Sequence, residues 1–322
     1  MQIRLSPPSL SAMQQLRDPR DSILSRRLAV ASEWTLVVYA VVAAFTTYFC
    51  MYGFRKAFTV AEFKGLDIGV FGLVIDLKLA LVIGQVFGYA TSKIIGIKFN
   101  SEMGRGQRGI ALLVCIIVSE MSLVMFGLVP GGWKVMAIFC SALPLGMVWG
   151  LVFSFLEGRR MTDLMGAGLC CSFILASGFA KTVGGKVMEQ GVSESWMPAV
   201  AGLMYFPVFC LAVWMLRRMP HPTGRDVAMR VERQPMHRVE RRAFLARYAF
   251  GIACLMLVYM AMTVCRDFRD NFMADMFSER GIKGKPEIFA KTETMVMTVS
   301  SSSRFQPRQR FVSMLSPHPR AR

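Results

Sequence analysis

The sequence predicts an all-α polytopic membrane protein, and three observations support this fold class. The 322 residues are 54% hydrophobic and only 18% charged, whereas soluble domains are about 45–50% apolar and about 25% charged. Seven segments stay largely apolar over the roughly 20 residues that a helix needs to cross a hydrocarbon core of about 30 Å. Lysine and arginine are concentrated between these segments. The expected environment of the chain is therefore a lipid bilayer.

The seven predicted spans succeed one another through short loops, except before the last. They run Trp34–Phe54, Leu77–Ile97, Ile110–Val129, Trp133–Leu156, Leu164–Val183, Trp196–Leu216 and Tyr248–Val264. Several begin at Trp or Tyr, which favour the membrane–water interface. The predicted organisation is a cytoplasmic tail (1–31), a six-helix transmembrane bundle (32–216), a basic cytoplasmic linker (217–247), a seventh transmembrane helix (248–265) and a polar C-terminal segment (266–322).

The C-terminal segment is too polar to supply further spans. No run of 17 apolar residues follows Val264, and the tail that begins at Ser300–Ser303 carries five arginines and no acid. This composition predicts disorder. A six-helix bundle, a polar central loop and a second bundle is a common transporter layout, so the second half is expected to be incomplete, through truncation or a frameshift.

Charge in the loops predicts the orientation. With the N-terminus in the cytoplasm, the inner segments hold 19 Lys and Arg residues and the outer segments hold 7. This asymmetry is what the positive-inside rule requires. It also accounts for the net charge of +17 without a nucleic-acid partner, because the basic residues lie between spans rather than along one face of a domain.

The first predicted span carries a candidate anion site. Phe45, Tyr48, Tyr52 and Arg55 are spaced to share one helix face. Tyrosine hydroxyls that end at a guanidinium suit an anionic substrate, because Arg can bind a phosphate or carboxylate with two parallel hydrogen bonds. The alternative is that Arg55 and Lys56 only flank the span and extend to the outer surface.

The second predicted span has two distinct faces, one for helix packing and one that is polar. Small residues recur every four positions on one of them: Gly84, Gly88, Ser92 and Gly96. Such a stripe lets another helix backbone approach closely. A neighbouring stripe carries Lys78, Gln85 and Tyr89, and these polar groups are expected to face the bundle interior. Gln85 and Tyr89 are therefore secondary candidates for contact with a solute.

Two further ionisable residues lie inside predicted spans. Glu120 is about 16 Å into the third span, near the bilayer midplane, where it could couple transport to protons or bond to a neighbouring helix. Lys181, in the fifth span, could join Arg55 in the anion site or extend to the outer surface. After the seventh span, the alternating charges of Arg266–Asp270 predict mutual pairing.

The sequence offers no enzyme signature. No HExxH, Walker, Gly-x-Ser-x-Gly or CxxC motif is present, and His221, His237 and His318 all lie in polar segments outside the predicted spans. The eight cysteines fall in or beside apolar runs and are expected to act as small hydrophobic residues rather than as disulfides or metal ligands. No metal, cofactor or catalytic residue is therefore predicted.

Residues 34–265 resemble the major facilitator superfamily. Gly88-Tyr89-Ala90-Thr91-Ser92-Lys93 and the following Gly96 are similar to the signature between its second and third spans, with Ser92 where Asp is usual. Arg217-Arg218-Met219-Pro220 resembles the end of a sixth span that enters the central loop. The resemblance implies an MFS-type six-helix bundle plus a seventh helix. The whole also resembles uncharacterised bacterial membrane proteins with a motif like Arg269-Asp270-Asn271-Phe272, which implies the bacterial inner membrane.

Within that superfamily, Tyr48 to Phe58 looks most like the first span of organophosphate/phosphate antiporters. Their first-span arginine, a phosphate ligand, would correspond to Arg55. Met262 stands where their seventh-span arginine would be, and Arg266 follows one turn later.

The predicted function is secondary transport of a small, anionic or phosphorylated solute by two bundles that rock about a central site. Arg55 would bind the solute, with secondary contacts from Tyr48, Tyr52, Gln85, Tyr89 and Lys181. Glu120 is the candidate residue for proton coupling. The coupling ion would be either a proton or a counter-transported anion. The alternatives are a non-transporting receptor or assembly factor on the same scaffold, or an inactive transporter fragment.

Overall fold

The computed structural model describes residues 23–63, 65–70, 73–220, 238–281 and 286–304. In these ranges the chain forms nine α-helices, one 3-10 turn and one β-hairpin. The helices are α1 (Ile23–Val30), α2 (Glu33–Lys56), α3 (Leu77–Glu102), α4 (Arg105–Leu128), α5 (Trp133–Leu156), α6 (Thr162–Glu189), α7 (Met197–Arg217), α8 (Arg238–Glu279) and α9 (Glu287–Arg304). The 3-10 turn is Ala57–Val60, and the antiparallel hairpin pairs β1 (Asp67–Val70) with β2 (Leu73–Asp76), Asp67 opposite Asp76.

Seven of these helices, α2 to α8, are long and apolar enough to cross a membrane. The protein is therefore an all-α multi-pass membrane protein, as predicted. The fourth span has the predicted limits, Trp133–Leu156. The seventh helix is much longer than its apolar stretch suggests, because the polar residues on both sides of 248–265 continue the same helix to Arg238 and Glu279.

Side-chain caps fix several helix ends. The Ser32 hydroxyl accepts a hydrogen bond from the Thr35 amide at the start of α2, and the Asp76 carboxylate accepts one from the Leu79 amide at the start of α3. Such caps satisfy amides that the first helical turn leaves unpaired. At a C-terminal end, the Lys134 ammonium donates to the Phe126 carbonyl in the last turns of α4, where a cation also opposes the helix dipole.

Small residues allow α3 to pack closely along α5, as the sequence predicted. A Cβ atom at Gly88 would lie 2.5 Å from the Phe139 carbonyl oxygen, and one at Gly84 would lie 2.8 Å from the Val135 side chain. Ser92 meets Gly146 in the same interface. The other main interfaces join α2 to α6 and α7, and α4 to α5 and α7. Helix α2, which carries Arg55, thus lies in the interior of the bundle.

Helix α8 is attached to the bundle only through its last part. None of residues 246–264 is buried, and Phe250 and Leu255 are among the most exposed apolar side chains. Burial begins at Asp270, Asn271 and Met273. The membrane-spanning part of α8 therefore stands apart from the six-helix bundle, whereas its C-terminal third is docked against it.

The predicted disorder after residue 265 is wrong for residues 266–281 and 286–304. Helix α8 continues to Glu279, and α9 packs against α6, where the Phe289 backbone lies beside Gly178. Phe289 and Glu293 are buried. The segment orders because its charged groups are paired with the bundle instead of being solvated, which overall composition does not reveal.

Other sequence predictions fall partly outside the described residues. Within the predicted cytoplasmic tail, α1 is helical, and residues 1–22 lie outside the described part of the chain. The same is true of most of the basic linker (221–237), of the tail from 305 to 322 and of all three histidines. The eight cysteines all lie among the described residues, and none of them is part of a disulfide there.

Candidate functional site

Arg55, in the last turn of α2, is buried inside the bundle and is only 8% exposed. Its guanidinium carbon lies 4.0 Å from the centre of the Tyr89 ring and 5.7 Å from that of Tyr52. Such cation–π contacts are attractive, more so away from water. Among the described residues no carboxylate forms an ion pair with Arg55, and its Nε has no hydrogen-bond partner. The alternative that Arg55 extends to the outer surface is wrong.

A cluster of aromatic side chains packs next to Arg55. Tyr48 and Tyr89 share a hydrogen bond of 3.4 Å between their hydroxyls. Tyr48 also packs edge-on against Trp149 and Phe173, with ring centres 5.5 and 4.9 Å away. The face predicted from the spacing of Tyr48, Tyr52 and Arg55 therefore exists, and it faces Tyr89 of α3.

Gln85 contacts the backbone of Arg55 rather than its guanidinium. Its side-chain amide donates a hydrogen bond to the backbone carbonyl of Arg55. That bond satisfies a carbonyl at the end of α2 that has no partner within the helix. Gln85 is buried, as predicted, but the structure places it as a positioning residue for the Arg55 backbone.

Next to Arg55, two lysines share one carboxylate. Lys56 Nζ lies 3.0 Å from Asp270 Oδ2, and Lys181 Nζ lies 2.8 Å from Asp270 Oδ1. The Ser177 hydroxyl also donates to Asp270, and Lys56 donates to the Asn271 side-chain oxygen at 2.7 Å. Lys56 is 2% and Lys181 1% exposed, so the expectation that either reaches the outer surface is wrong. Their charges are held inside because Asp270 compensates them.

The charges that follow the seventh span pair only in part with one another. Arg266 and Asp267 form an ion pair at 3.1 Å, as predicted. Arg269 instead reaches Glu293 of α9 at 3.3 Å, and Asp270 turns to the lysines. Burial raises the pKa of Glu293, although the Arg269 guanidinium acts in the opposite direction.

A third lysine ties α8 to the bundle. Lys78, at the start of α3, donates to Asp275 at 2.7 Å. The interior position predicted for Lys78 is confirmed, since the residue is buried. Contacts from α2, α3 and α6 to the segment 270–275 show that these helix ends all lie at one end of the bundle.

A small cavity of about 30 Å³ lies between Arg55 and these ion pairs. It has room for about two water molecules. Its lining consists of Tyr52, Arg55, Lys56, Phe173, Ser177, Arg266, Asp267, Arg269, Asp270 and Glu293. Since pockets for organic ligands usually measure about 300–1,000 Å³, this cavity is too small to hold an organic ligand in the present conformation.

A larger cavity, of about 630 Å³, lies between the β-hairpin and the first turns of α3 and α5. Its walls include Ile68, Ile83, Trp133 and Phe139, and none of its described lining residues is charged. It therefore offers no cation to an anionic solute.

Glu120 lies apart from the Arg55 cavity. It is buried between α4 and α7, where its Oε2 occupies the space that a Cβ atom at Gly202 would need. Neither carboxyl oxygen has a hydrogen-bond partner among the described residues. The alternative of a hydrogen bond to a neighbouring helix is therefore not what this structure shows, and coupling by Glu120 stays a prediction.

The structure thus brings together Arg55, Tyr48, Tyr52 and Tyr89, places Lys181 beside the cavity, and leaves Glu120 elsewhere. Sequence reasoning missed the roles of Lys56, Ser177, Asp270 and Glu293. One signal in the sequence could have indicated this cluster. A carboxylate such as Asp270 near the end of a span needs a cation nearby, and Lys56 and Lys181 lie near the outer ends of the first and fifth predicted spans.

Seven membrane-spanning helices and a buried, cation-rich cavity at one end define a multi-pass membrane protein with a polar internal site. The chain belongs to a family of unknown function (DUF5690), whose sequence profile matches residues 57–303. No curated protein matches the chain. The matched range includes Lys181, Asp270 and Glu293, and it begins two residues after Arg55.

Proposed function

We propose that the protein is a secondary transporter of a small anionic solute and that Arg55 is the main residue that binds this solute. The proposed location is the bacterial inner membrane, with the N-terminus in the cytoplasm. A charge buried in a membrane protein is costly unless it is compensated. Charged residues in such positions usually line substrate or ion pathways. The observation that carries the proposal is that Arg55 is buried, borders a cavity and has no carboxylate partner among the described residues.

The surroundings of Arg55 support binding of an anion. A guanidinium has five donors in a planar fork that matches a carboxylate or a phosphate. Here the guanidinium lies over the ring of Tyr89, 4.0 Å from its centre, and the backbone of Arg55 is held by Gln85. Tyr48 and Tyr52 add hydroxyl groups on the same face. A solute acid group would supply the negative charge that the protein does not place on Arg55.

Arg55→Ala should lower the uptake of an anionic solute about 10–100-fold, because the lost hydrogen bond between charged groups contributes roughly 1.5–3 kcal/mol. Arg55→Lys keeps the charge but loses the planar fork, so it should retain part of the uptake. The measurement is entry of radiolabelled inorganic phosphate and succinate into proteoliposomes that contain the purified variants.

Arg218→Ala is the matched control, because this arginine also lies over an aromatic ring, Trp214, but at the end of α7. It should transport like the wild type. Equal uptake by Arg55→Ala and Arg218→Ala would contradict the proposed role of Arg55.

We also propose that Glu120 binds the coupling proton. The carboxyl group is buried, and neither of its oxygens has a hydrogen-bond partner among the described residues. Burying an ionised carboxylate without a partner is costly, and binding of a proton removes that cost. Glu120→Gln keeps the shape but cannot release a proton. It should abolish accumulation driven by a pH gradient and leave solute exchange at equal pH intact.

The control for this variant is Glu189→Gln, at the exposed end of α6. Accumulation driven by a pH gradient that survives in Glu120→Gln would refute the coupling role.

A non-transporting receptor or assembly factor is the second candidate. The exposed surface of α8 over residues 246–264 favours it, because a span with no buried residue over this stretch is available to a partner in the membrane. Solute uptake that depends on Arg55 would decide for the transporter.

A further inference from the structure

Asp270 lies in a site that is shaped to bind an acid group. Two buried ammonium groups contact opposite oxygens of its carboxylate, at 3.0 Å from Lys56 and 2.8 Å from Lys181. The Ser177 hydroxyl donates to the oxygen that Lys181 also contacts. Three donors from α2 and α6 thus converge on a single carboxylate, which arrives from another helix, α8.

The charges around the cavity do not balance. Arg266 pairs with Asp267, and Arg269 pairs with Glu293. The remaining cations are Arg55 and Lys56, which line the cavity, and Lys181, which does not line it but contacts Asp270, the remaining carboxylate of the lining. In this cluster, cations therefore outnumber carboxylates by two. If Asp270 withdrew, three cations would face the cavity.

Asp270 follows a stretch of α8 that is not buried in the bundle. The preceding stretch of α8, residues 246–264, has no buried residue. The docked part is held by ion pairs, including Lys78 with Asp275 at 2.7 Å, and by the apolar side chains of Phe272 and Met273. An anion that competes for the lysines therefore removes the ionic part of this attachment. The space that Asp270 leaves would enlarge the present cavity of about 30 Å³.

We infer that Lys56, Lys181 and Ser177 form a second acid-binding subsite beside Arg55, which Asp270 occupies as a tethered substitute for the solute. The transported solute is then a dianion, with one acid group or oxygen pair on Arg55 and the other on the lysines. Its arrival displaces Asp270 and undocks α8. This inference rests on the proposed function, because it names the class of solute for the same site.

The test is rescue of a variant by anions in solution. Asp270→Asn removes the tethered carboxylate and leaves the subsite empty of negative charge. The purified variant in detergent is unfolded thermally while inorganic phosphate, succinate, acetate or chloride is titrated at constant ionic strength. Phosphate and succinate distinguish a phosphate-like from a dicarboxylate-like dianion, and acetate and chloride are the monoanionic controls.

At least one dianion should raise the unfolding temperature of Asp270→Asn by roughly 5 °C, with little effect from acetate or chloride. Its half-saturating concentration should be about tenfold lower than in the wild type, because the internal competitor is gone. Asp275→Asn removes a neighbouring carboxylate that pairs with Lys78, away from the cavity lining, and should show no such gain. Lys181→Met combined with Asp270→Asn dismantles the subsite and should lose the rescue.

The outcomes separate the two proposals. Binding that depends on Arg55 without a gain in Asp270→Asn overturns the second subsite and leaves the proposed function standing. An equal gain in Asp275→Asn also overturns it, since the effect would then be one of general charge. If Asp270→Asn stays unfolded in every anion, a free anion cannot replace the carboxylate, and the inference fails. Loss of all dependence on Arg55 contradicts the proposed function itself.

Discussion

Gly88→Leu should leave little folded protein, because it forces α3 away from α5. Even a Cβ atom at this position would lie 2.5 Å from the Phe139 carbonyl oxygen and 3.0 Å from Ala142. A backbone oxygen cannot move aside as a flexible side chain can. Overpacking usually costs about 1–3 kcal/mol and can exceed this where no relaxation is available. The measurement is the yield of monodisperse protein in detergent and the midpoint of its thermal unfolding.

Gly251→Leu is the matched control for this substitution. It lies in α8, where no heavy atom comes within 4 Å of the position that a Cβ atom would take, so the larger side chain meets only the surroundings of the helix. It should fold like the wild type. A normal yield and an unchanged midpoint in Gly88→Leu would show that the close approach of α3 and α5 is not required.

Asp270→Leu should be the most destabilising change in the ionic cluster, at about 3–5 kcal/mol, because it leaves Lys56 and Lys181 buried without a carboxylate. Replacing Lys181 alone by Met should cost much less, since one lysine and one carboxylate then remain paired. Unfolding midpoints of the two variants, measured in the same detergent, make the comparison.

The triple variant Lys56→Met, Lys181→Met, Asp270→Leu distinguishes charge from packing. An apolar replacement of a whole buried ion-pair group is often neutral or stabilising, so the triple variant should recover most of the stability that Asp270→Leu loses. If both variants are equally unstable, the loss comes from packing around residue 270, and the electrostatic account of the cluster is wrong.

The spans could be predicted from the sequence because hydropathy over about 20 residues is a local property. The stripe of small residues through Gly88 and the shared face of Tyr48, Tyr52 and Arg55 followed from helix periodicity alone. These features need no knowledge of which helices are neighbours. They therefore appear in the structure much as the sequence predicted them.

The ionic cluster could not be predicted in the same way. Lys181 and Asp270 are 89 residues apart, and the local charge pattern favoured the nearest opposite charge, which proved right for Arg266 and wrong for Asp270. Helix α9 was missed for a related reason. Its polar composition suggests disorder, but Phe289 and Glu293 find their partners on α6 and α8, which only the tertiary arrangement supplies.

The length of α8 links the cluster to the thickness of the membrane. Between Arg247, which lies beside Tyr248 at one end, and Asp270 at the other, the helix rises about 35 Å. This distance is close to one hydrocarbon thickness of about 30 Å. Arginines near its start are attracted to anionic headgroups, so a thicker or thinner bilayer shifts or tilts the helix. We therefore expect a change in bilayer thickness to change the position of Asp270 relative to the lysines.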